Sequence, residues 1–245
     1  MRSRSRLVLV AVATFLLGVV LLFPARVAYH LLPAGLVAGS GIEGTVWRGH
    51  INEVSSNGIY LSNVSWQFRP LRLFSGELAY SMKADVMSGF VTTDVGFGFG
   101  GAVYLRELNA AIPAEMLQAS LNLPGLSGSI AATFERLSFD GDLPVAADGN
   151  VEIINLVSPR VFRGALGGYK AEFFTQNDGI SASVEDTDGI VDLAGSLTVK
   201  ADRNYQFIGQ LAPKANTPAN MLRQMDVLGS PNERGQYEIR LEGVL

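Results

Sequence analysis

The hydrophobic pattern begins with an uninterrupted apolar run from Leu7 to Phe23 that carries no charge. As a helix rising about 1.5 Å per residue, this run extends roughly 26 Å, close to the ~30 Å of hydrocarbon in a bilayer. Arg2, Arg4 and Arg6 precede it, and Arg26 is the only charge in the nineteen residues that follow. Because basic residues concentrate on the cytoplasmic side of a span, the pattern predicts a transmembrane helix over 7–23, a cytoplasmic tail over 1–6 and an exported remainder.

A cleaved signal peptide is the alternative for this N-terminal run. Signal peptides have an apolar core of about 7–15 residues that ends at an A-x-A-like site. The run in this chain is longer, and the sequence PARVAY over residues 24–29 is a poor cleavage site. We therefore expect a signal anchor that stays attached to the chain.

Beyond a juxtamembrane connector over residues 24–40, apolar and polar positions alternate with the period of two that is typical of β-strands. The first strand is predicted over Ile42–Gly49, and a one-residue slip at Ser62-Asn63 predicts a bulge. The longest alternation, from Phe90 to Arg106, is either one bent strand or a hairpin that turns at Gly100-Gly101. Its apolar face is expected to carry Val91, Val95, Phe97, Phe99, Val103 and Leu105.

Two short helices are predicted among the strands. Proline fits the first position of a helix, so Pro113 predicts a helix over Pro113–Ser120. Thr217 is expected to cap a second helix, which has Pro218 at its first position and ends before Gly229. A final strand is predicted over Gly235–Leu245.

Short segments of the first half return in the second half. The sequence GIEGTV at 41–46 is echoed by GLSGSI at 125–130, and PAEML at 113–117 by PANML at 218–222. Such echoes predict a duplicated unit. We therefore expect a first β unit with a short helix over 41–124, and a second over 125–245 that adds the final strand.

Composition agrees with a mainly β chain. Charged residues make up 17% of the chain, which contains 27 glycines and no cysteine. The predicted fold is an N-terminal transmembrane helix followed by an elongated, twisted antiparallel β-sheet or half-barrel region, built from two similar meander units with short helices. Without the three leading arginines, 16 basic residues face 23 acidic ones, a net charge of about −7. Such an acidic surface disfavours nucleic acid as a partner.

No stretch of the sequence predicts a reaction. The two histidines, His30 and His50, have no partners at metal-ligand spacing. The glycines of GFGFGG over 96–101 are followed by strand-like residues instead of a helix, so aromatic packing over glycine is expected there and not a dinucleotide site. The acidic residues of the turns are expected to be solvated loop charges; these are Asp178, Asp186, Asp188 and Asp202. We predict no enzyme activity, no catalytic residue, no cofactor-binding residue and no metal ligand.

Several segments, read in order, resemble the type II secretion system protein N family, also called general secretion pathway protein N. These segments are GTVWRG at 44–49, VSW at 64–66, RPLRLFSG at 69–76, GQLAP at 209–213, LRQ at 222–224, LGSP at 228–231, Gly235 and GVL at 243–245. The resemblance implies a single-pass protein of the bacterial inner membrane whose bulk is periplasmic and rich in β-strands. It also implies an accessory role in exporting folded proteins across the outer membrane, and partners among the other inner-membrane and periplasmic secretion components.

The first half is also similar to AsmA-like envelope proteins, whose repeated strands form curved grooves lined by apolar residues. That similarity implies an alternative function in lipid handling or outer-membrane assembly. An apolar sheet face that is buried favours the scaffold, whereas an open groove lined by Phe97 and Phe99 favours lipid.

Overall fold

The computed structural model describes residues 2–31, 38–56, 59–98 and 100–244. Two N-terminal helices, α1 (Arg2–Leu21) and α2 (Ala25–His30), precede the strands. The later helices are short. They are a 3₁₀ helix η1 (Pro70–Ser75), a 3₁₀ helix η2 (Ala114–Leu117) that continues into α3 (Gln118–Leu121), and α4 (Ala219–Met225) that continues into a 3₁₀ helix η3 (Asp226–Leu228).

In the described ranges, thirteen strands form one antiparallel sheet, and each strand pairs with the next one along the chain. The strands are β1 (Ala38–Gly44), β2 (Arg48–Ser56), β3 (Ile59–Phe68), β4 (Glu77–Val86), β5 (Gly89–Gly98), β6 (Ala102–Pro113), β7 (Ser127–Asp140), β8 (Leu143–Ser158), β9 (Phe162–Gln176), β10 (Gly179–Asp186), β11 (Val191–Lys200), β12 (Asn204–Pro213) and β13 (Tyr237–Val244). The mainly β, antiparallel prediction is confirmed, and the sheet is open, with β1 and β13 at its two edges.

Three local predictions can be compared with this sheet. The single strand predicted over Ile42–Gly49 is wrong, because the chain turns at Thr45–Trp47 and the segment belongs to both β1 and β2. The bulge at Ser62-Asn63 is confirmed by a register shift between Ser62 and Ser65. The alternation from Phe90 to Arg106 is a hairpin: Val95 pairs with Leu105, and Phe97 pairs with Val103. Phe99 lies outside the described residues.

The predicted helix positions hold, but one predicted cap does not. η2 and α3 lie where the first helix was predicted, but Pro113 is the N-cap and the last residue of β6 and not the first helical residue. At α4 the capping position is Pro218, and no side chain caps the helix. Thr217 instead bonds to the β10–β11 connection, because its hydroxyl donates to the carbonyl of Ile190 at 2.6 Å. The predicted N-cap role of Thr217 is therefore wrong.

The apolar face of the sheet is buried by curvature. Phe134, Ala147, Ile180 and Val199, from β7, β8, β10 and β11, form one buried cluster, which we call the central cluster. No helix of the described residues belongs to it, so these side chains are shielded by the sheet itself. β8 and β10 also contact each other although β9 lies between them. Adjacent strands in a flat sheet lie about 4.8 Å apart, so second neighbours such as β8 and β10 lie about twice as far apart. Their closer approach shows that the sheet is curled.

A second buried cluster, which we call the C-terminal cluster, is covered by a helix. Met221 and Met225 of α4 pack there against Phe162, Leu166, Val191 and Leu211 of the sheet. Tyr237 and Ile239 of β13 pack against the same cluster. The last strand is thus tied to the sheet both by pairing with β12 and by side-chain packing.

The membrane-span prediction is not confirmed by the helix itself. Nowhere in the described ranges does a helix combine the length and the apolar character needed to cross a membrane.

The glycines of the first echo are required by the backbone. Gly41 and Gly44 have φ of +68° and +91°, and their counterparts Gly125 and Gly128 have φ of +80° and +138°. A side chain at Gly44 would also place its Cβ 2.4 Å from the carbonyl oxygen of Arg48. Both conditions favour glycine, because other residues are strained at positive φ.

Gly44→Ala is therefore expected to destabilise the β1–β2 hairpin by about 1–3 kcal/mol, the usual cost of a strained backbone position. The loss is measured as a lower urea midpoint. Gly100→Ala is the control, since its added Cβ meets nothing within 4 Å and its φ is not in the left-handed region. A variant at Gly44 that is as stable as the control would contradict the requirement.

Candidate interaction surface

The two edges of the open sheet differ. The edge at β1 is covered by α2: the Arg26 side chain donates to the carbonyl of Ile42 at 2.6 Å, and the amide of Gly39 donates to the Tyr29 hydroxyl at 2.9 Å. Unpaired backbone groups at an edge strand otherwise accept another chain. α2 therefore protects the first edge of the sheet.

The edge at β13 pairs on one side only. Its residues Tyr237–Val244 face Asn204–Leu211 of β12, and among the described residues no strand pairs with its other side. Leu241 and Val244 are exposed there. β13 contains no proline, so every outward amide is available as a donor. The structure thus provides one protected edge and one open edge.

The junction of α1 with the sheet is fixed by hydrogen bonds. The indole nitrogen of Trp47 donates to the carbonyl of Val20 at 2.7 Å, and the amide of Val46 donates to the carbonyl of Phe23 at 3.0 Å. The Trp47 ring packs against Phe68 with ring centroids 4.8 Å apart. Trp47 is half-buried where it joins the helix to the sheet.

The outer face of the sheet carries ion pairs that cross strands. Arg106 of β6 reaches over Gly96 of β5 and donates two hydrogen bonds to Glu77 of β4, at 2.7 and 2.8 Å. These bonds hold the pKa of Glu77 below its ordinary value, against the opposing effect of burial. A side chain at Gly96 would approach both partners, so glycine leaves room for the pair.

Aromatic packing over glycine is confirmed in the GFGFGG segment. A Cβ built on Gly98 would lie 3.3 Å from the Tyr104 ring, so the ring occupies the space that a side chain would take. The same arrangement recurs where Phe207 covers Gly195 and Gly209. These glycines serve side-chain packing within the sheet.

Asp186 corrects the prediction that the turn acids are solvated. Its side chain is only 8% exposed and pairs with Lys214. It also accepts a hydrogen bond from the amide of Leu193 at 2.9 Å. Burial acts to raise the pKa of Asp186, but Lys214 and the amide outweigh it and hold the pKa below its ordinary value. Asp186 therefore links β10, β11 and the segment before α4.

A loss of stability in acid follows from this carboxyl. Because its native pKa is lowered, its contribution is complete above the unfolded value of about 4 and is lost as pH falls through the native pKa. Asp186→Asn is expected to lose about 1–3 kcal/mol at neutral pH, less than for a fully buried pair because Lys214 is one-third exposed. The urea midpoint of this variant, measured from neutral pH to pH ~3, should then fall less steeply than that of the parent chain.

The control for this prediction is Asp178→Asn, since Asp178 is exposed in the β9–β10 turn. It should leave the midpoint and its pH dependence nearly unchanged. If Asp186→Asn gave the same pH profile as the parent chain, the link through Asp186 would carry no stability.

The two histidines do not come together with other polar side chains in one site. His50 bonds to Asn52, and His30 packs edge-on against Tyr29. Within the described ranges no three histidine, aspartate or glutamate side chains lie close enough to hold a metal ion. The predictions of no catalytic, cofactor-binding or metal residue remain predictions.

Sequence reasoning missed the features that distinguish the edges. The alternation located β13, but α2 is only six residues long and its role depends on contacts with β1 made 10 to 16 positions away. The juxtaposition of Arg26, Tyr29 and a glycine-rich strand was the available signal.

Comparison with known proteins agrees with the resemblance seen in the sequence. The family model described as "Type II secretion system (T2SS), protein N" matches residues 36–240. A type II secretion system protein N from Aeromonas hydrophila is 25% identical over 98% of this chain and 96% of its own length.

Two further relatives carry the same name. The protein from Vibrio cholerae serotype O1 is 26% identical and covers 93% of both chains. The protein from Pectobacterium carotovorum subsp. carotovorum is 25% identical over 91% of this chain and 90% of its own. No solved structure matches the chain. With the family model spanning most of its length, including all thirteen described strands up to the middle of β13, this chain belongs to the type II secretion system protein N family.

Proposed function

We propose that this chain is an accessory, non-catalytic component of the type II secretion system that acts as a scaffold through its open sheet edge. Family membership supports the secretion role. The observation that carries the scaffold role is the difference between the edges: α2 covers β1, whereas β13 has an unpaired side. A partner strand added to β13 would gain main-chain hydrogen bonds along the edge.

The proposed partners are other inner-membrane and periplasmic secretion components. To test this, a photoreactive amino acid is placed at Arg240, an exposed position of β13, in cells that secrete through this system. Adducts with another secretion component are expected. The matched control is Glu43, an exposed position on the covered edge strand β1, which should give none. Secretion that proceeds without any adduct from Arg240 would contradict the edge contact.

We further propose that α1 attaches the chain to the inner membrane, with the sheet in the periplasm. Every large apolar side chain of α1 from Leu7 to Leu21 is exposed, so the helix stands free of the sheet except at its C-terminal turn. The three arginines before the apolar part favour a cytoplasmic N-terminus. A reporter enzyme fused after Gly39 should be active only outside the cytoplasm. A mature chain that begins near residue 39 would contradict the attachment.

The division into two units, 41–124 and 125–245, is also proposed. Six strands precede η2 and α3, six more precede α4, and Pro113 and Pro218 have nearly the same backbone conformation. The positive φ of the paired glycines supports it as well. The units are not identical, since Ala114 is buried and Ala219 is exposed. Superposition of the two backbones tests the duplication.

A lipid-handling role is the second candidate function. It is favoured by the N-terminal half of the apolar face, where paired Leu78 and Phe97 are 37% and 46% exposed. The purified full chain would then retain phospholipid, and Phe97→Asp would reduce the amount. Phe174→Asp, on the opposite face, is the control. Equal lipid recovery from both variants would contradict a groove.

A further inference from the structure

The 3₁₀ helix η1 displays apolar side chains to solvent. Phe74 is 91% exposed, Leu71 is 79% exposed, and no residue of η1 is buried. The backbone is nonetheless well fixed: the Arg69 amide donates to the carbonyl of Ala79 at 2.8 Å, and Gly76 closes the helix at φ +76°. A fixed segment that holds Phe and Leu outward is typical of a contact surface.

η1 lies at the end of the sheet from which α1 departs. It begins two residues after Phe68, whose amide donates to the carbonyl of Trp47 at 2.7 Å. Trp47 in turn bonds to Val20, near the end of α1. η1 and the C-terminal end of α1 therefore lie at the same end of the sheet, and both expose apolar side chains.

Two arginines lie beside these apolar residues. The segment RPLRLFSG over 69–76 contains two arginines and no acidic residue, in a chain whose net charge is negative. Arg69 and Arg72 are both exposed, and Arg69 pairs with Asp94 of β5 at 3.5 Å. Phe and Leu next to arginine suit the boundary between acyl chains and anionic headgroups. Trp47 at the same end suits the interface as well, where tryptophan is enriched.

We propose that η1 is a second membrane contact, in which Leu71 and Phe74 enter the headgroup–acyl boundary while Arg72 meets anionic lipid phosphates. This inference rests on the attachment of α1 to the membrane proposed above. Two contacts at one end orient the sheet with respect to the bilayer, with the far ends of β4 and β5 directed away from it. The β4–β5 turn at Ser88 is then about 34 Å from η1, the length of the ten residues of β4.

The test uses single cysteines, since the chain has none of its own. Full-length Ala13→Cys in α1, Phe74→Cys in η1 and Ser88→Cys in the exposed β4–β5 turn are each spin-labelled. They are placed in nanodiscs of phosphatidylethanolamine and phosphatidylglycerol. The accessibility of each label to oxygen, which dissolves in lipid, is compared with its accessibility to a water-soluble nickel complex.

Labels at 13 and 74 are expected to have oxygen-to-nickel ratios several-fold above that at 88. A lipid-like label at 13 with water-like labels at 74 and 88 would overturn the η1 contact, leave α1 in the membrane and point to a protein partner for η1. Water-like labels at both 13 and 74 would overturn the α1 attachment together with the inference.

The headgroup contact is tested in the Phe74→Cys chain. Arg72→Glu should lower the ratio at 74, and replacing phosphatidylglycerol by phosphatidylcholine should lower it too. Lys83→Glu, an exposed change on β4, should not. Ratios that respond equally to both substitutions, or to neither, would overturn the role of the arginine. Circular dichroism confirms that each variant is folded.

Discussion

Deletion of residues 235–245 is expected to unfold the C-terminal end of the sheet. The deletion removes the whole β13 ladder and exposes the C-terminal cluster, because Tyr237 and Ile239 pack against it. Burial of one such side chain contributes about 1.5–3 kcal/mol, so the loss is on the order of 5 kcal/mol, comparable with the total stability of many domains. Urea unfolding followed by circular dichroism, together with limited proteolysis, measures the effect.

Deletion of residues 244 and 245 alone is the control, since it leaves Tyr237 and Ile239 in place, and it should lower the midpoint only slightly. If the longer truncation stayed fully folded but lost its co-purifying partners, β13 would act only as a docking edge. If it stayed folded, kept every partner and supported secretion, both roles of β13 would be wrong.

Phe134→Ala is expected to cost about 3–5 kcal/mol, the usual range for a large buried aromatic side chain. Phe134 lies in the central cluster, and its ring packs against Phe173 with centroids 5.5 Å apart. No second layer of the described residues can move in to fill the space. The change should therefore lower the thermal midpoint strongly.

Phe174→Ala is the matched control, because Phe174 follows Phe173 on β9, faces the other side of the sheet and is 50% exposed. It should cost less than about 1 kcal/mol. The pair also tests the register, since a slip of one residue exchanges the faces of a strand. A larger cost at Phe174 than at Phe134 would mean that the apolar face is assigned to the wrong side.

The sequence was a good guide to where strands occur and a poor guide to how their ends are arranged. Period-two alternation located the β5–β6 hairpin and the final strand β13. It misread Ile42–Gly49 because β-branched and aromatic residues continue through the turn at Thr45–Trp47. The left-handed conformation of Gly44 was the missing information, and glycine alone does not reveal it.

Features that depend on distant contacts were beyond the pattern. η1 has no helical periodicity to detect, and the exposure of Phe74 follows only from its position between β3 and β4. Asp186 resembles the other turn acids in sequence, and its burial depends on Lys214, 28 positions later. The covered edge likewise depends on α2 returning to β1.

The open edge at β13 is the central claim, and residue-resolved hydrogen exchange of the full chain tests it most directly. In an antiparallel edge strand, amides alternate between those bonded to the neighbouring strand and those that face outward. The eight residues of β13 should therefore alternate between slow and fast exchange, and the fast ones should slow when the secretion partner binds. Uniformly slow exchange along β13 without a partner would show that the edge is already paired, and would contradict the account.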